Sequence, residues 1–243
     1  MIRIWHVAVF AVALAGGAVA FAPAQAFLQS SDDGLSFARA NGTIWDATLT
    51  RARIGQFEAG DVGIKVSASD LLFGRVVADV DLSGRDIAGA ARLQFGMDGE
   101  RRLTATELLL QGLPVNETLR LPGETRLRNL DMVLGANACI SAQGVLESDT
   151  LMRSGEVLGV IGPMMSGVAA CHGPVGRLVM NGERDGESAQ LVLDLANSGA
   201  AQWSIQYRTE NPEAAVRLTA LGLQLQSDTG SYEKRGATRW LPF

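Results

Sequence analysis

The chain has 243 residues, of which 47% are apolar and 19% charged, and its formal net charge is −5. This composition excludes a wholly disordered chain, and the negative charge excludes an extended basic surface for nucleic acid. Twenty-eight glycines and an aromatic content of 6% favour short strands joined by tight turns over long helices. The sequence therefore predicts an all-β protein with a sizeable core.

The first feature along the chain is an uncharged apolar segment. Residues 4–31 contain no Asp, Glu, Lys or Arg, and residues 7–22 are apolar or glycine throughout. A helix over residues 4–22 would be about 28 Å long, close to the roughly 30 Å of bilayer hydrocarbon. Arg3 precedes the segment, which favours a cytoplasmic N-terminus. We predict an N-terminal transmembrane helix or signal-like segment in residues 1–28 and an exported β domain in residues 29–243.

A cleaved signal peptide is the alternative for the same segment. Ala24 and Ala26 flank Gln25 in a small-residue pattern that suits signal peptidase, so the mature chain would begin near Phe27. Both alternatives export everything after Gln29, and the residues leave the choice between them open.

Alternating apolar and polar residues dominate the exported region, and this period of two is typical of half-buried strands. Residues 76–82 and 91–97 alternate on either side of a glycine-containing link and predict one hairpin. Residues 191–195 and 203–207 predict a second hairpin, and residues 221–225 predict another strand near the C-terminus. Mainly antiparallel sheets follow from this pattern.

Two other segments interrupt the strands. Asn211 and Pro212 suit the N-cap and first position of a helix, so one short helix is predicted from there to about Leu221. Residues 113–126 contain two prolines and a glycine between alternating regions, which predicts a connection between two sheet halves. A sub-boundary of the β domain is placed there.

The two cysteines, Cys139 and Cys171, are the only ones in the chain. In an exported compartment such a pair is expected to form a disulfide, which we predict to join two neighbouring strands of the second sheet half. The alternative is a reactive thiol assisted by His172. Neighbouring residues on a strand point to opposite faces, so Cys171 and His172 are poorly placed to act as a catalytic pair.

The usual catalytic constellations are missing from the sequence. His6 lies in the apolar segment, which leaves His172 alone in the exported region, and no G-x-S-x-G, P-loop, G-x-G-x-x-G or H-E-x-x-H motif occurs. The acidic pairs at residues 32–33 and 79–81 lack the loop of a calcium site and are better explained as solvated strand faces. We predict a non-enzymatic protein with no cofactor and no metal site.

Several short motifs, taken in order, resemble the type II secretion system protein N family, also called general secretion pathway protein N. Pro23 and Ala24 are similar to its PA signature, and Gly42, Thr43 and Trp45 are similar to its G-T-(L/I)-W signature. The runs around Cys139 and Cys171 resemble its paired-cysteine region, and residues 220–232 resemble its closing leucine and glycine pattern. Ala47 stands where that family commonly has a glycine. Trp45 itself is expected to be a core anchor beside Gly42.

The resemblance implies a single-pass inner-membrane subunit with a periplasmic β domain, acting in assembly of the secretion apparatus without cofactor or enzymatic activity. Its expected partners are other subunits, either of the inner-membrane platform or the secretin, together with the inner membrane and no nucleic acid. The alternative function is that of a membrane-tethered, lipid-handling β protein, which predicts a continuous apolar inner face on a curved sheet.

Overall fold

A computed structural model describes residues 22–26, 35–114, 120–159 and 161–239. In these residues the chain forms one antiparallel sheet of 15 strands, so the predicted all-β, mainly antiparallel fold is confirmed. The predicted transmembrane helix falls in residues 1–28, of which only 22–26 are described, where Ala24–Ala26 form a 3-10 turn. Among the described residues no helix is both long and apolar enough to cross a bilayer.

The strands follow one another across the sheet in nearly perfect chain order. At the ends, β1 and β2 both pair with β3, and β14 lies outside β15. The strands are β1 (Leu35–Ser36), β2 (Arg39–Gly42), β3 (Asp46–Ile54), β4 (Phe57–Val66), β5 (Arg75–Ser83), β6 (Ile87–Gly96), β7 (Arg101–Pro114), β8 (Arg120–Leu134), β9 (Cys139–Ser148), β10 (Met165–His172), β11 (Val175–Arg184), β12 (Glu187–Leu195), β13 (Ala200–Arg208), β14 (Gln224–Gln226) and β15 (Ser231–Arg239).

Both predicted hairpins are confirmed. The first is β5 with β6, in which Val80 lies opposite Ala91, and the second is β12 with β13, in which Leu193 lies opposite Trp203. Residues 113–114 and 120–126 belong to β7 and β8, which pair directly up to Pro114 and Arg120. One continuous sheet therefore crosses this region, and a sub-boundary there stays a prediction.

In the part of the chain that the structure describes, four short helices lie between strands, where the sequence predicted one. The helices are α1 (Ala68–Leu71), α2 (Thr150–Arg153), α3 (Gly155–Leu158) and α4 (Pro212–Ala220). Helix α4 is the predicted one: Oδ1 of Asn211 accepts hydrogen bonds from the backbone N–H groups of Glu213 at 2.9 Å and Ala214 at 3.5 Å, as an N-cap should.

The strand predicted over residues 221–225 is wrong in its first half. Leu221 caps α4, because its N–H still bonds to the carbonyl of Arg217 at 3.0 Å, and only Gln224–Gln226 join the sheet as β14. Leu223 is 7% exposed and packs into the core. The alternating leucines therefore correspond to the end of α4 and a buried turn, and not to one continuous strand.

The sheet bends sharply between β9 and β10. These two strands pair only from Val145 to Ser148, and Val168 lies opposite Val145. Beyond that pair β9 advances from Val145 to Cys139 while β10 advances only from Val168 to Cys171. Against β8, strand β9 has an extra residue between the partners of Val133 and Leu134, and bulges of this kind bend and twist a sheet. Strands β8 and β11 consequently come into contact although two strands lie between them.

The core lies inside this bend. The larger of two apolar clusters is built from β7 to β13 and closed by α2, α3 and α4; its least exposed members are Met132 at 0%, Leu134 at 1% and Tyr207 at 1%. The smaller cluster belongs to β2, β3 and β4, around Leu49. The N-terminal strands thus have a thinner core than the bent part of the sheet.

Asp86, in the β5–β6 turn, ties several turns of the N-terminal strands together. It is 2% exposed; its carboxylate accepts from the N–H of Glu58 at 2.8 Å and pairs with Arg120 at 2.5 Å. Arg120 also donates to the carbonyl of Gln56 at 3.2 Å. Burial alone would raise the pKa of Asp86, but the hydrogen bonds from Arg120 and Glu58 and the charge of Arg120 outweigh it and hold the pKa below its ordinary value of 3.8.

This pairing predicts a specific acid sensitivity. A carboxyl group whose pKa is lower in the folded chain stabilises the fold above its unfolded pKa, and this contribution is lost as the pH falls through the folded pKa. We expect Asp86→Asn to lower the free energy of unfolding at pH 7 by about 1 to 3 kcal/mol, since the N–H of Glu58 loses a charged acceptor. Urea unfolding between pH 7 and pH 2 measures it.

The matched control is Asp79→Asn, because Asp79 pairs with Arg92 across two exposed strand positions. Such exposed pairs contribute little. The difference in stability between the native chain and Asp86→Asn should shrink as the pH falls below the unfolded pKa of an aspartate, about 3.9, and then through the lower pKa of the folded chain. A difference that stays constant down to pH 2 would show that the pKa of Asp86 is the same in the folded and unfolded chains.

Candidate functional site

One end of the sheet receives the N-terminal segment, and we call it the anchor end. Pro23 forms a β-bridge with Thr43, and the N–H of Ile44 donates to the carbonyl of Ala22 at 3.1 Å. Ala24 is 1% exposed, so it is enclosed by this contact. The two motifs that the sequence analysis assigned to separate signatures, at residues 23–24 and 42–45, therefore meet at one point.

The turn at residues 42–45 is built to hold that contact. Gly42 has a φ of 93°, and a Cβ on it would lie 2.2 Å from the carbonyl oxygen of Asp46, so only glycine fits. Oγ1 of Thr43 accepts from the backbone N–H groups of Trp45 at 3.3 Å and Asp46 at 3.4 Å. Ala47, where a glycine was expected, is 3% exposed. These residues have a structural explanation that requires no ligand.

Trp45 is half-buried and belongs to neither apolar cluster of the described residues. Its carbonyl accepts from the N–H of Val66 at 2.8 Å, which joins the turn to the end of β4. The expectation of a fully buried core anchor at Trp45 was therefore too strong, because the residue lies in a turn at the rim of the sheet.

The predicted disulfide between Cys139 and Cys171 is present, with a Cα–Cα distance of 5.5 Å. It joins the start of β9 to the end of β10, at the bend, where the regular ladder between these strands has already stopped. Neither cysteine is free, so the reactive thiol beside His172 is ruled out in this state. The bond closes the bend from the anchor end.

The two faces of the sheet differ in chemistry. Residues directly opposite one another on paired strands share a face, so an apolar face can be followed from β4 to β13 through the registers. We call this the inner face. Its members include Val62, Val80, Leu82, Ala91, Leu93, Leu103, Leu108, Leu127, Met132, Leu146, Leu178, Leu193 and Ile205.

Contacts across the bend show that the sheet curls around this inner face. Nδ2 of Asn197, in the β12–β13 turn, donates to the carbonyls of Gly99 at 3.0 Å and Gly135 at 2.9 Å, in the β6–β7 and β8–β9 turns. A Cβ on Gly176 of β11 would lie 2.2 Å from Sδ of Met132 on β8. Turns that are far apart in strand order are thus brought together at the anchor end.

The middle of the inner face is covered only partly. Leu82 and Val80 pack on the smaller cluster and Leu103 and Leu108 on the larger, yet all four are half-buried. Within the described residues, the substantial contacts of β5 and β6 are with their neighbouring strands and with α1. The two cores are therefore joined by a strip of partly exposed apolar side chains.

The outer face carries charged pairs instead. Arg92 and Asp79 lie opposite each other at 2.6 Å, as do Arg177 and Asp194 at 2.6 Å. The carboxylates accept two hydrogen bonds from each guanidinium, which raises the pKa of Arg92 and of Arg177. Because these pairs are partly exposed, they contribute little to the free energy of folding. Their main effects are to favour this strand register and to keep the outer face soluble.

One edge of the sheet keeps free backbone groups. Strand β15 pairs with β13 from Tyr232 to Arg239, but β14 covers its other side only from Ser231 to Glu233. In the described part of the chain, residues 234–239 therefore have no partner strand on that side. An edge of this kind can accept an added strand.

Within residues 22–26, 35–114, 120–159 and 161–239, no three His, Cys, Asp or Glu side chains are grouped so that they could hold a metal ion. His172 is exposed at the end of β10.

The described residues thus form an open, curled antiparallel sheet with an apolar inner face, bonded at one end to residues 22–23. The family model of type II secretion system (T2SS) protein N matches residues 33–230, which is most of the chain. The chain belongs to this family and is a component of the type II secretion system. No curated protein and no solved structure matches it.

The matched region includes Gly42, Thr43 and Trp45 and both cysteines, while Pro23 and Ala24 lie before it. The family is a secretion-apparatus component and not a known enzyme family. What the sequence did not indicate is the meeting of residues 22–24 with the turn at residues 42–45. The sequence separation of about 20 residues does not indicate how far apart the two motifs lie in space, because that distance depends on how the strands between them are arranged.

Proposed function

We propose that this chain is a single-pass inner-membrane subunit of a type II secretion system, whose periplasmic β domain holds other subunits without catalysing a reaction. The match of the family model over residues 33–230 carries the proposal. The uncharged apolar residues 4–22 supply the anchor.

The anchor end supports this placement. Because Pro23 and Ala22 are bonded to Thr43 and Ile44, the apolar segment would continue directly from the sheet, without a flexible linker. A domain held in this way is confined to a thin layer beside the bilayer, and its effective concentration toward other tethered subunits is high. Contacts of modest affinity are then sufficient for assembly.

The free edge of β15 is the proposed contact for another subunit of the inner-membrane platform or the secretin. Lys234 and Arg235 on this strand already bind the carbonyl of Leu221 at 3.1 Å and the carboxylate of Glu233 at 2.5 Å, so backbone groups, and not side-chain charge, would bind the added strand. A photo-crosslinking residue at Ala237, which is exposed on this strand, is expected to capture another secretion subunit in intact cells. Gln190 is the control, because it is exposed on β12 at a position that pairs with β11 on one side and with β13 on the other.

Deletion of the gene is expected to reduce secretion of folded exoproteins while leaving their enzymatic activities intact. The full-length chain should be recovered in the inner membrane with an uncleaved N-terminus. Recovery of a chain that begins at Phe27, together with unchanged secretion in the deletion strain, would overturn the proposal.

The second candidate function is lipid handling, and the continuous inner face is the observation that favours it. An acyl chain would lie along the half-buried strip between the two cores, where Leu103 and Leu108 are only partly covered. Native mass spectrometry of the purified full-length chain would then show bound lipid.

Two neighbouring leucines of β7 provide a matched test of that candidate. Leu108 lies on the inner face opposite Leu127, and Leu109 lies on the outer face opposite Arg126; both are half-buried. Leu108→Gln should remove the lipid and Leu109→Gln should retain it. Equal lipid content in the two variants, or none in the native chain, would exclude this use of the inner face.

A further inference from the structure

Three strongly exposed apolar side chains lie together at the anchor end. Leu72 is 86% exposed, Phe73 75% and Met97 89%. Leu72 and Phe73 follow α1 in the link from β4 to β5, and Met97 begins the β6–β7 turn. The N–H of Met97 donates to the carbonyl of Gly74 at 3.3 Å, which holds the two turns against each other. We call these three residues the apolar tip.

The order of the strands places the tip beside the point where the apolar segment leaves the domain. In an antiparallel sheet alternate turns lie at the same end, so the β2–β3, β4–β5 and β6–β7 turns are all at the anchor end. Strands β3 and β6 are three spacings apart, which is about 14 Å. The tip is therefore within about 14 Å, measured across the strands, of the turn that binds Ala22.

The tip also projects beyond that turn. Val66 is bonded to Trp45 and lies opposite Ala78, whereas the β5–β6 ladder continues three residues further, to Arg75 and Gly96. At about 3.3 Å per residue, the tip extends about 10 Å further along the strand direction than Val66. This projection exceeds the thickness of one headgroup layer, which is about 6 Å.

We propose that the apolar tip inserts into the surface of the lipid bilayer that residues 4–22 span, so that the sheet stands on the membrane at two points. The proposal rests on the proposed inner-membrane placement. Exposed Leu, Phe and Met side chains are costly in water and are accommodated at the boundary of headgroups and acyl chains.

The charged groups beside the tip are mixed in sign: Asp70 pairs with Arg75, and Asp98 and Glu100 lie near Arg101 and Arg102. Apolar contact, and not attraction to anionic lipid, therefore drives the insertion.

The test uses the uncleaved full-length chain in bilayer nanodiscs, with its disulfide intact. Phe73→Cys and, separately, Met97→Cys are labelled with an environment-sensitive fluorophore. Val216→Cys is the matched control, because Val216 is 71% exposed on α4 at the opposite end of the sheet. We expect quenching by lipid-bound nitroxide to be at least about threefold stronger at positions 73 and 97 than at position 216, and quenching by aqueous iodide to be correspondingly weaker.

The proposal is overturned if iodide reaches positions 73 and 97 as readily as position 216. It is also overturned if either probe, in cells, is shielded only when other secretion subunits are present, because the tip would then be a protein contact. Neither result affects the proposed function, which depends on membrane recovery of the uncleaved chain and on crosslinking at Ala237. Replacing half of the neutral lipid with anionic lipid should leave the nitroxide quenching unchanged, and a strong increase would contradict apolar insertion.

Discussion

Replacing both Cys139 and Cys171 with alanine is expected to lower the free energy of unfolding by about 3 to 4 kcal/mol. The two cysteines are 32 positions apart, and a cross-link over a loop of this length removes a corresponding amount of entropy from the unfolded chain. The bond also stabilises the folded chain itself, because it holds β9 and β10 together where the hydrogen-bonded ladder between them has ended. Urea unfolding of the purified chain in detergent, with and without a reductant, measures the loss.

A loss of this size is a large part of the stability of an ordinary domain. The reductant should destabilise the native chain to the level of the double variant and should leave the double variant unchanged. His172→Ala is the control, since His172 is exposed and adjacent to Cys171 but makes no cross-link. Superimposable unfolding curves for the native and double-variant chains would show that the bend holds without the bond.

Local sequence patterns were sufficient for the parts of the fold that local geometry decides. The alternation around Val80 and Leu193 identified two hairpins because a period of two leaves one face apolar whichever strands are its neighbours. The N-cap of α4 was found for a similar reason, since the side chain of Asn211 bonds within its own turn.

The sequence patterns were insufficient for the features of the fold that depend on contacts between residues far apart in the chain. No sequence pattern indicated that the link between β4 and β5 leaves Leu72 and Phe73 exposed. The bend between β9 and β10 depends on a bulge and on the approach of β8 to β11, and neither leaves a period in the sequence. One sheet crosses residues 113–114 and 120–126, and the sub-boundary that the sequence predicted in this region stays a prediction.

The approach of β8 to β11 is tested by a pair of substitutions. Met132→Ala should cost about 2 to 5 kcal/mol, because Met132 is 0% exposed and its removal leaves a cavity. Gly176→Ala should cost about 1 to 3 kcal/mol, because the new methyl group would lie 2.2 Å from Sδ of Met132. In the double variant the methyl group occupies space that the methionine has vacated. Its cost should therefore be smaller than the sum of the two single costs by at least about 1 kcal/mol.

A second methionine on the inner face supplies the control for this cycle. Met180 is 5% exposed and lies on the same strand as Gly176, but their separation of four positions corresponds to about 13 Å along β11. Met180→Ala should be destabilising by itself and additive with Gly176→Ala, because substitutions at this distance do not share a cavity. Additive costs for Met132 and Gly176 as well would mean that β8 and β11 do not face each other. The curled sheet would then have to be replaced by a flatter one, and the inner face would lose the enclosure on which the lipid-handling function depends.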